Sequence, residues 1–145
     1  MNQREYDEYQ LQQRQKIAMQ TLLLTLVLIL ADGIVRTGWG EWAEPMMEAL
    51  LLIVLPALYF LTLAICKNAY FGRSGSWLSW VYLALGALFG GEFLFSWAAG
   101  RVAFVEDGLL SISIQPLVMG VFFFYIAGLS LIRRGMERRR EQGEE

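Results

Sequence analysis

Four apolar stretches of membrane-spanning length dominate this sequence and restrict the folds open to it. The clearest runs from Pro45 to Cys66 and contains a single charged residue, Glu48. At a rise of about 1.5 Å per residue, a helix of that length crosses a hydrocarbon core of about 30 Å. Hydrophobic residues make up 56% of the 145 residues, and a soluble domain would not gather them into four blocks of roughly twenty. The pattern predicts an integral membrane protein.

Glycine, proline and tryptophan residues mark the ends of these stretches and divide the chain. We predict an all-α protein whose four transmembrane helices form an antiparallel bundle, because short connections place consecutive helices side by side. The predicted bundle spans residues 17–133, with helices at 17–35, 45–70, 77–99 and 116–132. A polar helical extension at 1–16 precedes it, and a charged tail at 134–145 follows it. The segment 109–115 fits either a first helical turn or an interfacial loop.

Lysine and arginine residues are distributed unevenly between the predicted helix ends. Ten fall in the N-terminal segment, the second connection and the C-terminal tail: Arg4, Arg14, Lys16, Lys67, Arg73, Arg133, Arg134, Arg138, Arg139 and Arg140. Only Arg36 and Arg101 fall in the first and third connections. Because basic residues accumulate at cytoplasmic helix ends, both termini are predicted to be cytoplasmic, in an inner or plasma membrane. The arginines of the tail are expected to contact anionic headgroups of the lipid bilayer or a partner protein.

The sequence lacks the residues that several kinds of chemistry require. It contains no histidine and one cysteine, Cys66, which removes imidazole metal ligands, a histidine base and any internal disulfide. No glycine-rich phosphate loop, nucleophile elbow or metal motif is present. We therefore expect no enzymatic activity, no metal or other cofactor, and no direct contact with nucleic acid. Cys66 itself is expected to be a small buried residue near a helix end, with palmitoylation as the alternative.

Three carboxylates, Asp32, Glu48 and Glu92, fall within the predicted membrane-spanning helices. The predicted topology places them at similar depth toward the outer side, where an unpaired charge in lipid costs about 3 kcal/mol or more. Two interpretations remain open. In the first, they form a proton or cation site, or a site for a cationic ligand, open to the outer side. In the second, Asp32 forms an ion pair with Arg36 one turn away, Glu48 lies near water, and only Glu92 needs burial.

Polar and small residues also line particular helix faces. Four polar residues of the second helix fall within roughly 60° of one another: Glu48, Tyr59, Thr62 and Cys66. This face is expected to meet other helices or a small wet cavity, so Tyr59 joins the candidate ligand residues. In the third helix, Gly86 and Gly90 have the spacing that permits close helix packing. Because Glu92 lies on another face of the same helix, that helix is predicted to occupy a central position.

Residues 7–72 contain several short sequence features that are typical of one protein family. An acidic pair, Asp7 and Glu8, is followed by the basic residues Arg14 and Lys16 and then by Ile17. A single glutamate, Glu48, lies early in the second helix, which ends with Lys67, Asn68 and Gly72. On these residues, the chain resembles a family of small four-helix membrane proteins of unknown function from Gram-positive bacteria. That family usually has arginine where this chain has Lys67, and the second half of the chain matches it by hydropathy alone.

Members of that family look like companions of small helix-turn-helix regulators. The resemblance therefore implies a membrane anchor or sensor for a cytoplasmic transcription regulator, and it implies no catalytic residues. The alternative function is a small transporter or channel subunit that works as a homodimer and uses its intramembrane carboxylates for proton or cation coupling. The polar faces of the first two helices favour this alternative. The lack of a long polar track on the fourth helix counts against it.

Overall fold

Four long helices form most of the structure, which is a computed structural model. It describes residues 3–67 and 76–142, and it describes side chains for residues 11–67 and 77–136. The helices are α1 (Gln3–Trp39), α2 (Pro45–Cys66), α3 (Ser76–Ala98) and α4 (Gln115–Gln142). Each contains a segment that is long and apolar enough to cross a membrane. The prediction of a helical protein with four potential membrane spans is therefore confirmed.

The helices differ from the predicted ones mainly at their ends. α1 begins at Gln3 and α4 continues to Gln142, because the polar segments that flank the apolar spans are rich in good helix formers. α2 ends at Cys66, where the amide of Lys67 still donates to the carbonyl of Leu63 at 2.9 Å. The remainder of the predicted second helix and the predicted turn after it, residues 68–75, lie outside the described residues.

The segment that the sequence left undecided forms a short strand and a helical turn. β1 (Val105–Glu106) and β2 (Leu109–Leu110) form a two-stranded antiparallel ladder. A single 3-10 turn at Ile112–Ile114 follows and leads directly into α4. Gly108 has φ +84°, a value that glycine adopts without strain, and it allows the tight reversal between the two strands.

The helices pack as a row in the order α1, α2, α4, α3, as the main contacts between them show. α2 and α4 therefore lie inside the row, whereas α1 and α3 lie at its edges with much of their apolar surface exposed. This corrects the prediction that the third helix is central. One face of α3 carries Gly86 and Gly90 and meets α4. The side chain of Glu92, which the sequence placed on a second packed face, is exposed.

Small residues let α3 and α4 approach closely. A Cβ atom added to Gly120 of α4 would lie 3.2 Å from the backbone nitrogen of Gly90, and one added to Gly86 would lie 3.0 Å from the ring of Phe124. Further along the same interface, the buried hydroxyl of Ser130 lies 2.9 Å from that of Ser79. The interface therefore depends on the absence of side chains at these glycines.

The connection between α1 and α2 pairs with the strand that precedes α4. The amide of Leu110 donates to the carbonyl of Trp42, and the amide of Glu44 donates to the carbonyl of Leu110, both at 3.0 Å. Beneath this pairing, Ala43, Met47 and Ile114 form a buried apolar cluster. The first and third connections are thus held together at one end of the helices, next to the start of α2.

Candidate functional site

A group of polar side chains meets where α1 ends and α2 begins. Glu48 lies in the first turn of α2, and only 6% of its side chain is exposed. The guanidinium of Arg36, in the last turn of α1, lies 3.0 Å from the Glu48 carboxylate. Arg36 is also 3.8 Å from Glu41, whose side chain is largely exposed. Glu48 is therefore the buried member of an ion pair whose cationic side chain reaches solvent.

Asp32 completes this group from the preceding turn of α1. Its carboxylate accepts a hydrogen bond of 2.9 Å from the indole Nε1 of Trp42. The carboxyl groups of Asp32 and Glu48 lie within hydrogen-bonding reach of each other. We call Asp32, Arg36, Trp42 and Glu48 the carboxylate cluster.

The cluster replaces the ion pair that the sequence predicted. We expected Asp32 to pair with Arg36 on the same helix, but the arginine's salt bridges are to Glu48 and Glu41. The reason is burial. Asp32 is half-buried and already holds the Trp42 indole, whereas Glu48 is almost fully buried and requires a compensating charge.

The local sequence explains how the cluster assembles. Asp32 and Arg36 are four residues apart, so they project from the same side of α1. The helix ends at Trp39, and Gly40 with φ +89° turns the chain back. Pro45 then begins α2, because its fixed φ and missing N–H suit a first helical turn. Glu48 follows within that turn and is brought against α1.

A second glutamate, Glu44, links the connection between α1 and α2 to the turn that precedes α4. Glu44 precedes α2 without capping it, and its carboxylate instead accepts a 2.9 Å hydrogen bond from the amide of Ile112. Ser111 is fully buried nearby, and its hydroxyl accepts from the amide of Ser113. These contacts join the loop that carries Trp42 to the turn that begins α4.

The chemistry of the carboxylate cluster centres on one shared positive charge. An ionised carboxylate only accepts hydrogen bonds, so two carboxyl groups can bond to each other only when one of them carries a proton. Without that proton, two anions, one of them the almost fully buried Glu48, would share a single guanidinium. The cluster can therefore bind and release a proton, or exchange it for a small cation. Among the described residues, no group of three or more metal-ligating side chains comes together.

The other predicted ligand residues lie apart from the cluster. Tyr59 is on α2 but eleven residues beyond Glu48, about 16 Å along the helix axis, and its side chain is exposed. Glu92 is on α3 and also exposed; within the described part of the chain it makes neither a hydrogen bond nor an ion pair. The predicted layer of three carboxylates is thus reduced to two that meet.

The polar faces predicted for α1 and α2 are satisfied mostly within their own helices. The hydroxyl of Thr21 donates to the carbonyl of Ile17, that of Thr25 donates to Thr21, and that of Thr62 donates to Leu58, all at 2.7–2.8 Å. Cys66 was expected to be buried and is exposed instead, because Ala64 and Ile65 occupy the packed positions at the end of α2. The threonine hydroxyls therefore need no polar cavity to satisfy them.

The structure describes the side chains of only some of the basic residues in the C-terminal region, because described side chains end at residue 136. Arg133 and Arg134 lie half-buried in α4. The side chains of Arg138, Arg139 and Arg140 lie outside the described part, although α4 itself continues through them to Gln142. Their predicted contacts with lipid headgroups or a partner stay predictions.

Sequence reasoning missed the residues that the loops contribute to the site. Trp42 was read only as one of the tryptophans that mark the ends of the apolar stretches, and its bond to Asp32 was not foreseen. Glu41 and Glu44 were not considered at all. A local feature of the sequence could have indicated these contacts. Only five residues, including a glycine, join α1 to a helix with an acidic first turn. Side chains in so short a loop lie close to the end of α1.

Comparisons with known proteins give no assignment. No family model, no curated protein and no solved structure matches this chain. The resemblance drawn from residues 7–72 therefore stays a prediction, and the function must be argued from the carboxylate cluster and its surroundings.

Proposed function

We propose that this protein is a multi-pass sensor of the inner or plasma membrane that responds to protons or small cations and anchors a cytoplasmic regulator. The observation that carries the proposal is the buried Glu48 carboxylate, placed between Asp32 and Arg36. A buried charge in a membrane span is expensive and most often marks a functional site. Here it lies where a helix end meets a connecting loop, so a change in its charge state can move both.

The proposal includes an antiparallel bundle with both termini in the cytoplasm. Ile17 packs near Ala64 at one end of the α1–α2 pair, and Arg36 contacts Glu48 at the other, as two oppositely directed helices require. The pairing of Trp42 with Leu110 supports one common side for the first and third connections. These connections and the helix ends that flank them carry two of the twelve basic residues, Arg36 and Arg101, which favours the outer side for the carboxylate cluster.

Loss of the shared proton would weaken the contact between α1 and α2. With both carboxyl groups ionised, Asp32 and Glu48 repel each other, and one guanidinium cannot neutralise both. The charged groups that face them are Arg36 and Glu41, and Glu41 adds further negative charge. Rising pH is therefore expected to loosen the cluster and expose Trp42, and a small cation in place of the proton would hold it closed.

α1 can carry this change across the membrane because it is one uninterrupted helix. It extends over 37 residues, about 55 Å, and bears Asp32 and Arg36 near one end and a polar segment near the other. α4 likewise continues beyond its apolar span. A regulator that binds the N-terminal extension and the arginines of the tail would detect a shift of α1. That partner is the one implied by the sequence resemblance.

The alternative function, a small transporter or channel subunit, has weaker support. A carrier needs a polar path through the membrane, whereas the hydroxyls of Thr21, Thr25 and Thr62 donate to carbonyls of their own helices. Tyr59 lies on the exposed surface and away from Glu48. The geometry favours a local switch over a pathway.

Tryptophan fluorescence tests the sensing step directly. The chain has five tryptophans, and replacing the other four by phenylalanine leaves Trp42 as the single reporter beside Asp32. We expect its emission to shift to longer wavelength as pH rises from about 4 to about 9, because the cluster opens to water. Asp32→Asn and Glu48→Gln should each abolish the shift. Glu41→Gln is the matched control and should preserve it, since that side chain is exposed.

A cysteine at the other end of α1 tests transmission. Gln12 is exposed, so Gln12→Cys in a Cys66→Ala background can report its reactivity toward a thiol reagent at each pH. We expect that reactivity to follow the Trp42 emission and to lose its pH dependence with Glu48→Gln. A constant Trp42 emission would refute the sensing site. A Trp42 shift without a change at residue 12 would refute coupling along α1.

A further inference from the structure

The atoms around Glu48 distinguish the two ligands that the proposed function leaves open, a proton and a small cation. A hard metal cation binds where oxygen atoms surround it, and Ca²⁺, for example, takes about six to eight of them. A proton needs only the carboxyl oxygen that carries it and one acceptor beyond. The groups that converge on Glu48 therefore indicate which ligand the carboxylate cluster can hold.

Two of the four side chains in the carboxylate cluster are hydrogen-bond donors that cannot coordinate a cation. The guanidinium of Arg36 lies 3.0 Å from the Glu48 carboxylate. The indole Nε1 of Trp42 lies 2.9 Å from the carboxylate of Asp32. Neither group has an acceptor atom, and each lies beside a carboxylate oxygen, where a cation would have to bind. The guanidinium also repels any further positive ion that comes this close.

The other oxygen atoms next to the cluster already accept hydrogen bonds from the protein. The carbonyl of Trp42 accepts from the amide of Leu110, and that of Glu44 accepts from the amide of Glu48. The carboxylate of Glu44 accepts from the amide of Ile112. Among the described residues, no set of three metal-ligating side chains is formed here or elsewhere. The cluster therefore offers a metal cation too few free oxygen ligands.

The charges that face Glu48 come from α1 and from the connection that precedes α2. Asp32 and Arg36 face it from α1, and Glu41 of the connection lies 3.8 Å from the same guanidinium. The turn that packs against the start of α2 contributes an apolar side chain, Ile114. With one proton on the carboxyl pair, the two carboxyl groups and the guanidinium carry no net charge, so they do not attract a further cation.

We infer that Arg36 acts as a built-in cation that makes the carboxylate cluster selective for protons over metal cations. The inference rests on the proposed sensing function and narrows its ligand to the proton. Because a guanidinium stays charged at every pH that a protein meets, it permanently fills the place that Na⁺, K⁺ or Ca²⁺ would take beside Glu48. The carboxyl groups of Asp32 and Glu48 keep the single hydrogen bond that a shared proton requires. Arg36 is thus the residue that determines specificity.

Trp42 emission, measured against pH at several cation concentrations, tests the selectivity. The full chain with Trp42 as its single tryptophan is used, and Na⁺, K⁺ or Ca²⁺ replaces tetramethylammonium at constant ionic strength, because salt alone screens charges. The midpoint of the parent should stay unchanged. In Arg36→Met, the midpoint should fall by up to about one pH unit for each roughly tenfold rise in Na⁺, since one cation then displaces one proton.

Two more variants separate the position of the charge from its loss. Arg101→Met is the matched control, because it removes the same charge from an exposed residue in the third connection. Its midpoint should be as independent of Na⁺ as that of the parent. Arg36→Gln keeps a polar side chain without the charge and should gain the same Na⁺ dependence as Arg36→Met. The measurement on the parent needs no substitution in the cluster, so it tests the selectivity even where a variant fails to fold.

Each outcome that contradicts the inference is distinct from failure of the sensing site. A parent midpoint that falls with rising Na⁺, K⁺ or Ca²⁺ would overturn proton selectivity and leave pH sensing in place. A midpoint independent of Na⁺ in both Arg36→Met and Arg36→Gln would remove Arg36 as its cause. Parent emission that is constant at every pH would refute the sensing site itself, and this inference with it.

Discussion

Removing the arginine of the carboxylate cluster gives the sharpest test of its energetics. Arg36→Met keeps an unbranched apolar side chain of similar length and deletes the charge 3.0 Å from Glu48. Breaking a fully buried ion pair costs about 3–5 kcal/mol, whereas an exposed pair contributes about 1 kcal/mol or less. Glu48 is almost fully buried, but 41% of the Arg36 side chain is exposed. We therefore expect an intermediate loss of about 2 kcal/mol.

That loss should be visible in thermal melts of the purified protein in detergent. For a chain of this size, 1 kcal/mol corresponds to about 3 °C, so Tm should fall by about 6 °C. Glu41→Gln is the control. It removes the longer, 3.8 Å contact of the same arginine from a side chain that is 62% exposed, and it should lower Tm by no more than about 2 °C.

A double variant shows whether the loss comes from the orphaned carboxylate. Adding Glu48→Gln to Arg36→Met removes both charges, and Tm should recover most of the way, because no uncompensated charge stays buried. The coupling energy from this cycle should exceed about 1 kcal/mol. The reasoning is refuted if Arg36→Met and Glu41→Gln lower Tm equally, or if the double variant is no more stable than Arg36→Met alone.

Two further predictions concern topology and helix packing. Single cysteines are introduced into a Cys66→Ala background at Gly38 in the last turn of α1, at Ala103 in the third connection, and at Ser74 in the second connection. An impermeant thiol reagent added outside should label the first two and not the third; labelling at Ser74 would reverse the orientation. In α4, Gly120→Ala should destabilise the protein by about 1–3 kcal/mol, because its Cβ would lie 3.2 Å from the backbone of α3. Gly128→Ala, with nothing within 4 Å, should be neutral or stabilising by up to about 1 kcal/mol in the same melts, and equal effects of the two would contradict the packing described.

Most residues of the carboxylate cluster could be predicted from the sequence, but the partner that each of them contacts could not. Asp32, Arg36 and Glu48 were recognised because ionisable residues in apolar segments require partners. Their spacing suggested the pair within α1, since neighbours on one helix can be identified by counting. Trp42 and Glu44 could not be placed by counting, because their partners, Asp32 and Ile112, depend on how a loop folds back.

The sequence alone determined the class of this protein, its four potential membrane spans and the identity of its ionisable residues, because helix length and burial in lipid depend on composition along the chain. Only the tertiary structure decided which helices touch. It moved α3 from the centre to an edge, packed Gly86 against Phe124 and left Glu92 exposed. The physical reason is that lipid and protein interiors are equally apolar, so hydropathy cannot tell a packed helix face from one that faces lipid.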